Sequence, residues 1–390
     1  MATYVPTTQI PITGARTLPG RYYKSAELFA EEQEKIFARR WLCVGREDQI
    51  ARPGDYFLQS VGAESVIVLR DRAGVLRAYY NVCRHRGTKM CWEERGRLPG
   101  TIQCPYHAWT YALDGRLLAA PSADELEDFR KEDYPLHPVG IASWEGFLFI
   151  NLSPAEAEPF EEAYAPLIGR FSRFNMPSLH VGRRIDYDVR ANWKLVVQNY
   201  SECYHCAPIH PALTKITPPT SGENDLVEGP FLGGFMVINE GSESLTMSGR
   251  ACGVPVGDLP AEDHRRVYYY ALFPNMLLSL HPDYVMCHTL WPVDPRRTRI
   301  TCEWLFHPET LARAERGELD IDDGVKFWDM TNRQDWEVCE RSQDGVVSRV
   351  YRPGPYSRRE SMSVAFDREV LKALGHTQPE DRDERDEREE

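Results

Sequence analysis

Hydrophobic and polar positions change rhythm several times along this chain of 390 residues. Ser25 is suited to cap a helix, and Leu28, Phe29, Ile36 and Phe37 then recur two turns apart, predicting a helix over roughly 26–39. From about 45 to 155 the runs shorten. Segments such as YFLQ, SVIVLR, VLRAYYNV and GFLFINL are rich in Val, Ile, Tyr and Phe. Turns such as Asp71-Arg72-Ala73-Gly74 and Asp114-Gly115 separate them, which predicts antiparallel strands joined by hairpins. A helical stretch near 157–172 follows. Residues 192–206 lack Gly and Pro and read as helix, 231–306 hold long β-like runs (FMVINE, YYYALF, TRITCEWLF), and 323–342 read as a second long helix. The order predicts a small all-β domain followed by a larger α+β domain. No internal repeat of fixed period interrupts it.

Charge narrows the partners. The net charge of −13 argues against nucleic acid or an anionic membrane. Part of it lies in residues 377–390, TQPEDRDERDEREE, which have no apolar residue to bury and read as a disordered acidic tail. The ten Cys are too sparse for a disulfide scaffold. The N-terminus, MATYVPTTQIPITG, has neither a basic n-region nor an apolar h-region, so no signal peptide is expected. The longest nearly apolar stretch, Val267 to Leu280, contains Pro274 and falls short of the ~20 residues of a membrane span. A cytoplasmic protein with reduced thiols is the expectation.

Those thiols matter because of one segment. NVCRHRGTKMCWEERGRLPGTIQCPYHAWTYALDG holds Cys83-x-His85 and then Cys104-x-x-His107, with Gly87, Gly96, Gly100 and Pro105 in the surrounding loops. Structural zinc takes Cys₂His₂, but usually as a Cys pair followed by a His pair. A Rieske [2Fe–2S] centre needs two Cys on one iron and two His on the other, and one ligand of each kind per loop delivers that. His ligation raises the potential to about −150 to +300 mV, suited to passing electrons on at moderate driving force. Cys91 falls outside the pattern and reads as a buried thiol.

A second group lies in ANWKLVVQNYSECYHCAPIHPAL. On a helix, Asn199, Glu202 and His205 share a face, and Pro208 ends the helix so that His210 folds back beside His205. Two His and a carboxylate on one face make a ferrous site with open positions for oxygen; a helix end with two ordinary histidines is the rival. The carboxylate is expected on the helix 323–342, whose inward stripe is Val325, Trp328, Asn332, Asp335, Val338 and Cys339. Asp335 is the acid on that stripe, and an inward carboxylate is costly unless paired or metal-bound. A buried Asp satisfied by Arg or backbone N–H groups is the alternative.

Together, Cys83-x-His85 … Cys104-x-x-His107 and Asn192-Trp193-Lys194 … Asn199-x-x-Glu202-x-Tyr204-His205-x₄-His210 resemble the Rieske non-haem iron ring-hydroxylating oxygenases, over roughly 20 to 370. The resemblance implies the α (terminal oxygenase) subunit, with an all-β Rieske domain at 45–155 and an α+β helix-grip (START-like) catalytic domain at 156–376. A helical segment, 1–44, would pack on the catalytic domain. It implies Cys83, His85, Cys104 and His107 on the cluster, and His205, His210 and Asp335 on a mononuclear Fe(II). Glu202, with Asn199 a turn before it, falls at the position of an acid that bridges His107 and His205. Family members are commonly homotrimers in which that bridge crosses a subunit interface. No G-x-G-x-x-G follows a strand, so an NAD(P)H-dependent flavin/iron–sulfur reductase, acting directly or through a ferredoxin, must supply electrons.

Most ring dioxygenases have Asp at the bridging position. Glu202-Cys203-Tyr204-His205-Cys206 and Tyr351-Arg352-Pro353-Gly354-Pro355-Tyr356-Ser357 look more like the branch acting on glycine betaine, stachydrine and carnitine. That implies O₂-dependent hydroxylation of an N-methyl group. A trimethylammonium group wants an aromatic cage, for which Tyr268, Tyr269, Tyr270, Phe273, Tyr284 and Trp291 are candidates, core packing being the commoner fate. The other readings are an aromatic ring-hydroxylating dioxygenase, a Rieske electron carrier without oxygenase activity and a zinc-stabilised binding protein. A carrier needs only the β domain.

Overall fold

The computed structural model describes residues 3–377; beyond Thr377 the expected acidic tail lies outside the described residues. The chain divides into two compact units, Phe37–Ile168, and Met1–Ile36 together with the chain from Gly169 onward. Among the described residues no helix is long and apolar enough to cross a membrane.

The first unit is the predicted meander of short strands. Four strands form one antiparallel sheet in the order Leu76–Tyr80, Glu64–Arg70, Asp55–Val61, Arg95–Arg97. Thr101–Gln103, Thr110–Ala112 and Leu117–Ala119 form a second, and Gly140–Trp144, Phe147–Asn151 and Leu42–Arg46 a third. The turns follow their chemistry: Asp71 Oδ1 accepts the N–H groups of Ala73 and Val75, both at 2.9 Å. Tyr56, Ile67, Leu69, Ile102, Trp109 and Tyr111 fill the core, joined by Cys91 as a buried free thiol that burial pushes up to about 11. The helix expected near 157–172 shrinks to Phe160–Ala163. Pro166 lacks an N–H to donate, and Gly169 at φ 73° turns the chain left-handed.

The second unit is built on an antiparallel sheet of eight strands. Its order is Val5–Pro6, Glu223–Leu226, Phe231–Val237, Arg266–Leu272, Met276–Leu280, Val285–Asp294, Arg297–Phe306, His180–Val189. Gly234 is required where two of them meet: a Cβ there would lie 1.9 Å from the Glu223 carbonyl oxygen. The helices Trp193–Tyr200, Asp322–Val346 and Ser361–Leu374 pack together and against the sheet.

Asn192-Trp193-Lys194 fixes the first of these helices at its start. Asn192 caps it by accepting Lys194 N–H at 3.0 Å, and its own N–H donates to Gln343 Oε1 of the long helix at 2.8 Å. Trp193 Nε1 donates to Glu32 Oε2 at 2.8 Å, and Lys194, fully buried, pairs with the same carboxylate. Glu32 ends the N-terminal helix Ala26–Glu32, where Ser25 Oγ accepts Leu28 N–H as expected. A π-helical turn, Gln33–Phe37, carries that helix on.

Candidate functional site

In the first unit two matching loops present the expected cluster ligands. In each, the N–H four residues on closes back on the cysteine carbonyl, Gly87 on Cys83 at 3.0 Å and Ala108 on Cys104 at 3.1 Å. Both closing residues lie in the left-handed region, at φ 74° and 56°. The cysteines are 2% and 3% exposed, whereas His85 faces solvent and His107 is half-buried. The two imidazoles lie side by side with ring centroids 4.7 Å apart, and His85 stacks flat on Trp109 at 4.9 Å. The Tyr111 hydroxyl lies 3.4 Å from Cys83 Sγ. Two thiolates on the buried side and two imidazoles on the outer side fit a Rieske cluster.

In the second unit the expected helix over 192–206 stops at Tyr200. Side chains capture the backbone there: Ser201 Oγ donates to Val197 O at 2.6 Å, and Glu202 Oε2 accepts the N–H groups of Tyr204 and His205. Hence Asn199, Glu202 and His205 do not share one helix face. A turn, not a helix, aims His205. Cys206–Ile209 form a single helical turn with Pro208 inside it, where its missing N–H costs nothing, and His210 precedes the next helix, Pro211–Ile216. Cys203 and Cys206, with Cα atoms 4.9 Å apart, are joined as a disulfide around Tyr204 and His205, contrary to the expectation of reduced thiols throughout. The remaining eight cysteines are free.

The turn nonetheless brings His205 to His210 and Asp335, whose ligand atoms all lie within 4.8 Å of one another. Asp335 Oδ1 is 3.2 Å from His205 Nε2 and 2.8 Å from His210 Nε2. The opposite ring nitrogens are held from behind, His205 Nδ1 by Glu202 Oε1 at 2.6 Å and His210 Nδ1 by Gln334 Oε1 at 2.8 Å. Metal-binding histidines are arranged this way, the outer nitrogen donating to an oxygen and the inner lone pair left for the metal. Electrostatics agree. Burial alone would keep His205 neutral, but Asp335 and Glu202 raise its pKa to about 10. Against its own burial, Asp335 is held below the usual carboxylate range by His205 and His210. Two partly buried carboxylates that draw a proton onto an imidazole provide for a cation, and two His with one carboxylate suit ferrous iron.

A cavity of about 260 Å³ opens onto this triad, with Asn199 and Glu202 on its wall. Of the six aromatic candidates, only Tyr269 lines it. Alternation along the strand turns Tyr268 and Tyr270 to the other face, where they bond Asp263 and Asp225. Tyr284 stands one layer back, accepting the Trp328 indole N–H at 2.7 Å and stacking on His281. Tyr200 and Trp328 complete the aromatic wall, each ring centroid 6.2 Å from that of Tyr269, whereas Phe235 packs its ring on Tyr268 on the other face. Trp328 shares the inward stripe of its helix with Asp335 seven residues on, a spacing legible in the sequence. Nothing local points to Gln334 as a partner of His210.

Family models match both parts of the chain, the Rieske [2Fe-2S] domain over 40–130 and the ring hydroxylating alpha subunit (catalytic domain) over 176–376. The glycine betaine monooxygenase oxygenase subunit of Chromohalobacter salexigens is 34% identical, over 90% of this chain and 84% of its own. This chain belongs to the Rieske non-haem iron oxygenases. The Escherichia coli K12 carnitine monooxygenase oxygenase subunit is 37% identical over 87% of this chain and 86% of its own. A crystal structure of the quaternary ammonium Rieske monooxygenase CntA with an inhibitor superimposes with a TM-score of 0.77 at 26% identity, covering 97% of this chain and 100% of that one. The chain is thus the oxygenase subunit of a multicomponent, O₂-using oxidoreductase, with a [2Fe–2S] cluster, a mononuclear iron and a reductase as electron source. The resemblance read from the two motifs and the two-part fold both stand. The electron-carrier and zinc-binding readings fall.

Proposed function

We propose that this oxygenase removes an N-methyl group from a small quaternary ammonium compound. The observation that carries the reading is the cavity: it ends on His205, His210 and Asp335, and its aromatic wall is Tyr200, Tyr269 and Trp328. Aromatic faces attract a desolvated quaternary cation by about 2 kcal/mol, and Glu202 and Asp335 add negative charge at the metal end. At about 260 Å³ the cavity lies below the ~300–1,000 Å³ of drug-sized pockets, which suits a compact metabolite. The glycine betaine and carnitine monooxygenase relatives support the same class. Aromatic ring dioxygenation is the second reading, since a flat ring also stacks on such a wall.

In this reading Cys83, His85, Cys104 and His107 would hold the cluster and His205, His210 and Asp335 the iron, which when bound would supply single-electron transfer and oxygen-activating redox chemistry. Tyr269 and Trp328 hold the cation with one methyl towards the triad, and Asn199 lines its approach. Gln334 and Glu202 fix the outer ring nitrogens of the ligands. The sum is R₃N⁺–CH₃ + O₂ + 2e⁻ + 2H⁺ → R₃N⁺–CH₂OH + H₂O. The carbinol then breaks its C–N bond, releasing formaldehyde, a tertiary amine and a proton. The protein works in the cytoplasm as a homotrimer with a flavin/iron–sulfur reductase. The cluster domain is 45–155 and the catalytic domain 156–376. Glu202 bridges His205 to His107 of a neighbouring subunit.

The test is oxygen uptake and formaldehyde release with NADH and a matched reductase, across betaines and aromatic acids. Formaldehyde should equal the oxygen consumed with a betaine and be absent with the aromatic acids. A cis-dihydrodiol from an aromatic acid, with no formaldehyde from any betaine, would favour the second reading.

A further inference from the structure

We propose that Arg359 is the anchor for a carboxylate on the substrate, so that the enzyme selects zwitterionic betaines over uncharged-tail analogues such as choline; the inference rests on the quaternary ammonium reading above. Three charged side chains besides the two histidines line the cavity among the described residues: Glu202, Asp335 and Arg359. The two acids gather at His205. Arg359 is the cation.

Its pairing state sets it apart. Arg170 and Arg173 of the same unit bind Asp225 and Asp263. Among the described residues no carboxylate pairs with Arg359. Its guanidinium lies over the ring of exposed Tyr204, 5.9 Å from the centroid. The adjacent acid is already engaged: Glu360 Oε2 accepts the Ser357 N–H at 2.7 Å, closing a capping box whose other half is the Ser357 side chain. Ser357 Oγ also accepts the Arg359 N–H at 3.3 Å. The box fixes the backbone of Arg359 at the head of the helix Ser361–Leu374, whose Met362 lines the same cavity. The result is an exposed, held guanidinium at the cavity rim.

A guanidinium over a ring keeps its N–H fork available in its own plane, and that fork matches a carboxylate with two parallel hydrogen bonds. The cavity therefore carries both signs: two acids gathered at His205 and, among its charged lining residues, one cation without a carboxylate partner. A betaine fits in one direction only, with methyls towards His205, His210 and Asp335 and its carboxylate on Arg359. Reversed, the carboxylate would meet Glu202 and Asp335. Choline gains nothing from Arg359.

The experiment compares glycine betaine, carnitine and choline on the iron-loaded holoenzyme, by anaerobic titration calorimetry for Kd and by formaldehyde release for kcat and KM. Wild type, Arg359→Gln and Arg359→Lys are measured side by side. Losing a charge-assisted pair should weaken at least one carboxylate substrate by about tenfold or more in Kd and KM in Arg359→Gln, against less than about twofold for choline. Lysine should recover part of the loss. Equal weakening for choline would show a general structural role and overturn the anchor, as would no weakening for any compound. A wild-type enzyme that bound and demethylated none of the three would instead overturn the quaternary ammonium reading, and the anchor with it.

Discussion

At the residue scale, the proposed iron site depends on which nitrogen of each histidine is left for the metal. Glu202 and Gln334 answer that by taking the outer nitrogens of His205 and His210 at 2.6 and 2.8 Å. The Gln334 contact is the one the sequence did not announce, and it makes a prediction. Gln334→Leu removes the acceptor on His210 Nδ1 while keeping similar volume, so the imidazole loses its fixed tautomer. Iron affinity at the mononuclear site should fall by about 10–100-fold, with the visible spectrum of the cluster unchanged. Asp335→Ala, measured beside it, should abolish that iron altogether. Dialysis against a graded chelator, with iron counted per chain, reads both. Wild-type iron retention in Gln334→Leu would remove the residue from the site.

At the element scale, legibility followed the range of the forces that act. The cluster loops were readable because Cys83/His85 and Cys104/His107 depend on contacts within five residues of chain. Asp335 was readable because a 25-residue helix imposes its period on every side chain. The end of the helix before His205 was not, because Ser201 and Glu202 compete with the helical ladder through their own side chains. Which of the six aromatic candidates faces the cavity was not legible, because strand phase is set by the partner strand. Gly234 pairs with Tyr269 and Phe235 with Tyr268, a register no single-strand pattern specifies. Elements also meet at a seam with a titration of its own. Asp367 on the last helix accepts from Gln198 Nε2 at 2.5 Å and Tyr356 Oη at 2.8 Å. Its burial outweighs these bonds and the charge of Lys194, raising its pKa from 3.8 to about 7. Between those values the folded chain binds the proton that the unfolded chain has lost, so this group's contribution to stability falls as pH rises from about 4 to 7. Asp367→Asn keeps the shape and removes the titration. The variant should therefore gain on wild type in unfolding free energy as pH goes from 5.5 to 8, by on the order of 2 kcal/mol, read as a Tm difference that widens with pH. Parallel Tm curves would show that Asp367 ionises as an ordinary carboxyl.

At the scale of the whole molecule, each proposed metal centre draws its ligands from one unit. The four proposed cluster ligands lie between 83 and 107, and the candidate triad is drawn from 205, 210 and 335. A chain can therefore lose one centre and keep the fold of the other, and this makes the proposed trimer testable by mixing. His107→Ala damages the cluster and spares the triad; Asp335→Ala does the reverse. Alone, neither should release formaldehyde from a betaine. Co-expressed in equal amounts, no chain holds both centres, so activity returns only if electrons cross between subunits. In a ring where each subunit faces one particular neighbour, random assembly restores roughly a quarter of the sites. Mixing the purified homotrimers without subunit exchange should restore none, which separates a built-in route through the assembly from electron transfer by collision. If the co-expressed mixture is as inactive as its parents while both variants retain their intact centre and sediment as trimers, electrons stay within the chain, and Glu202 does not bridge to a neighbour.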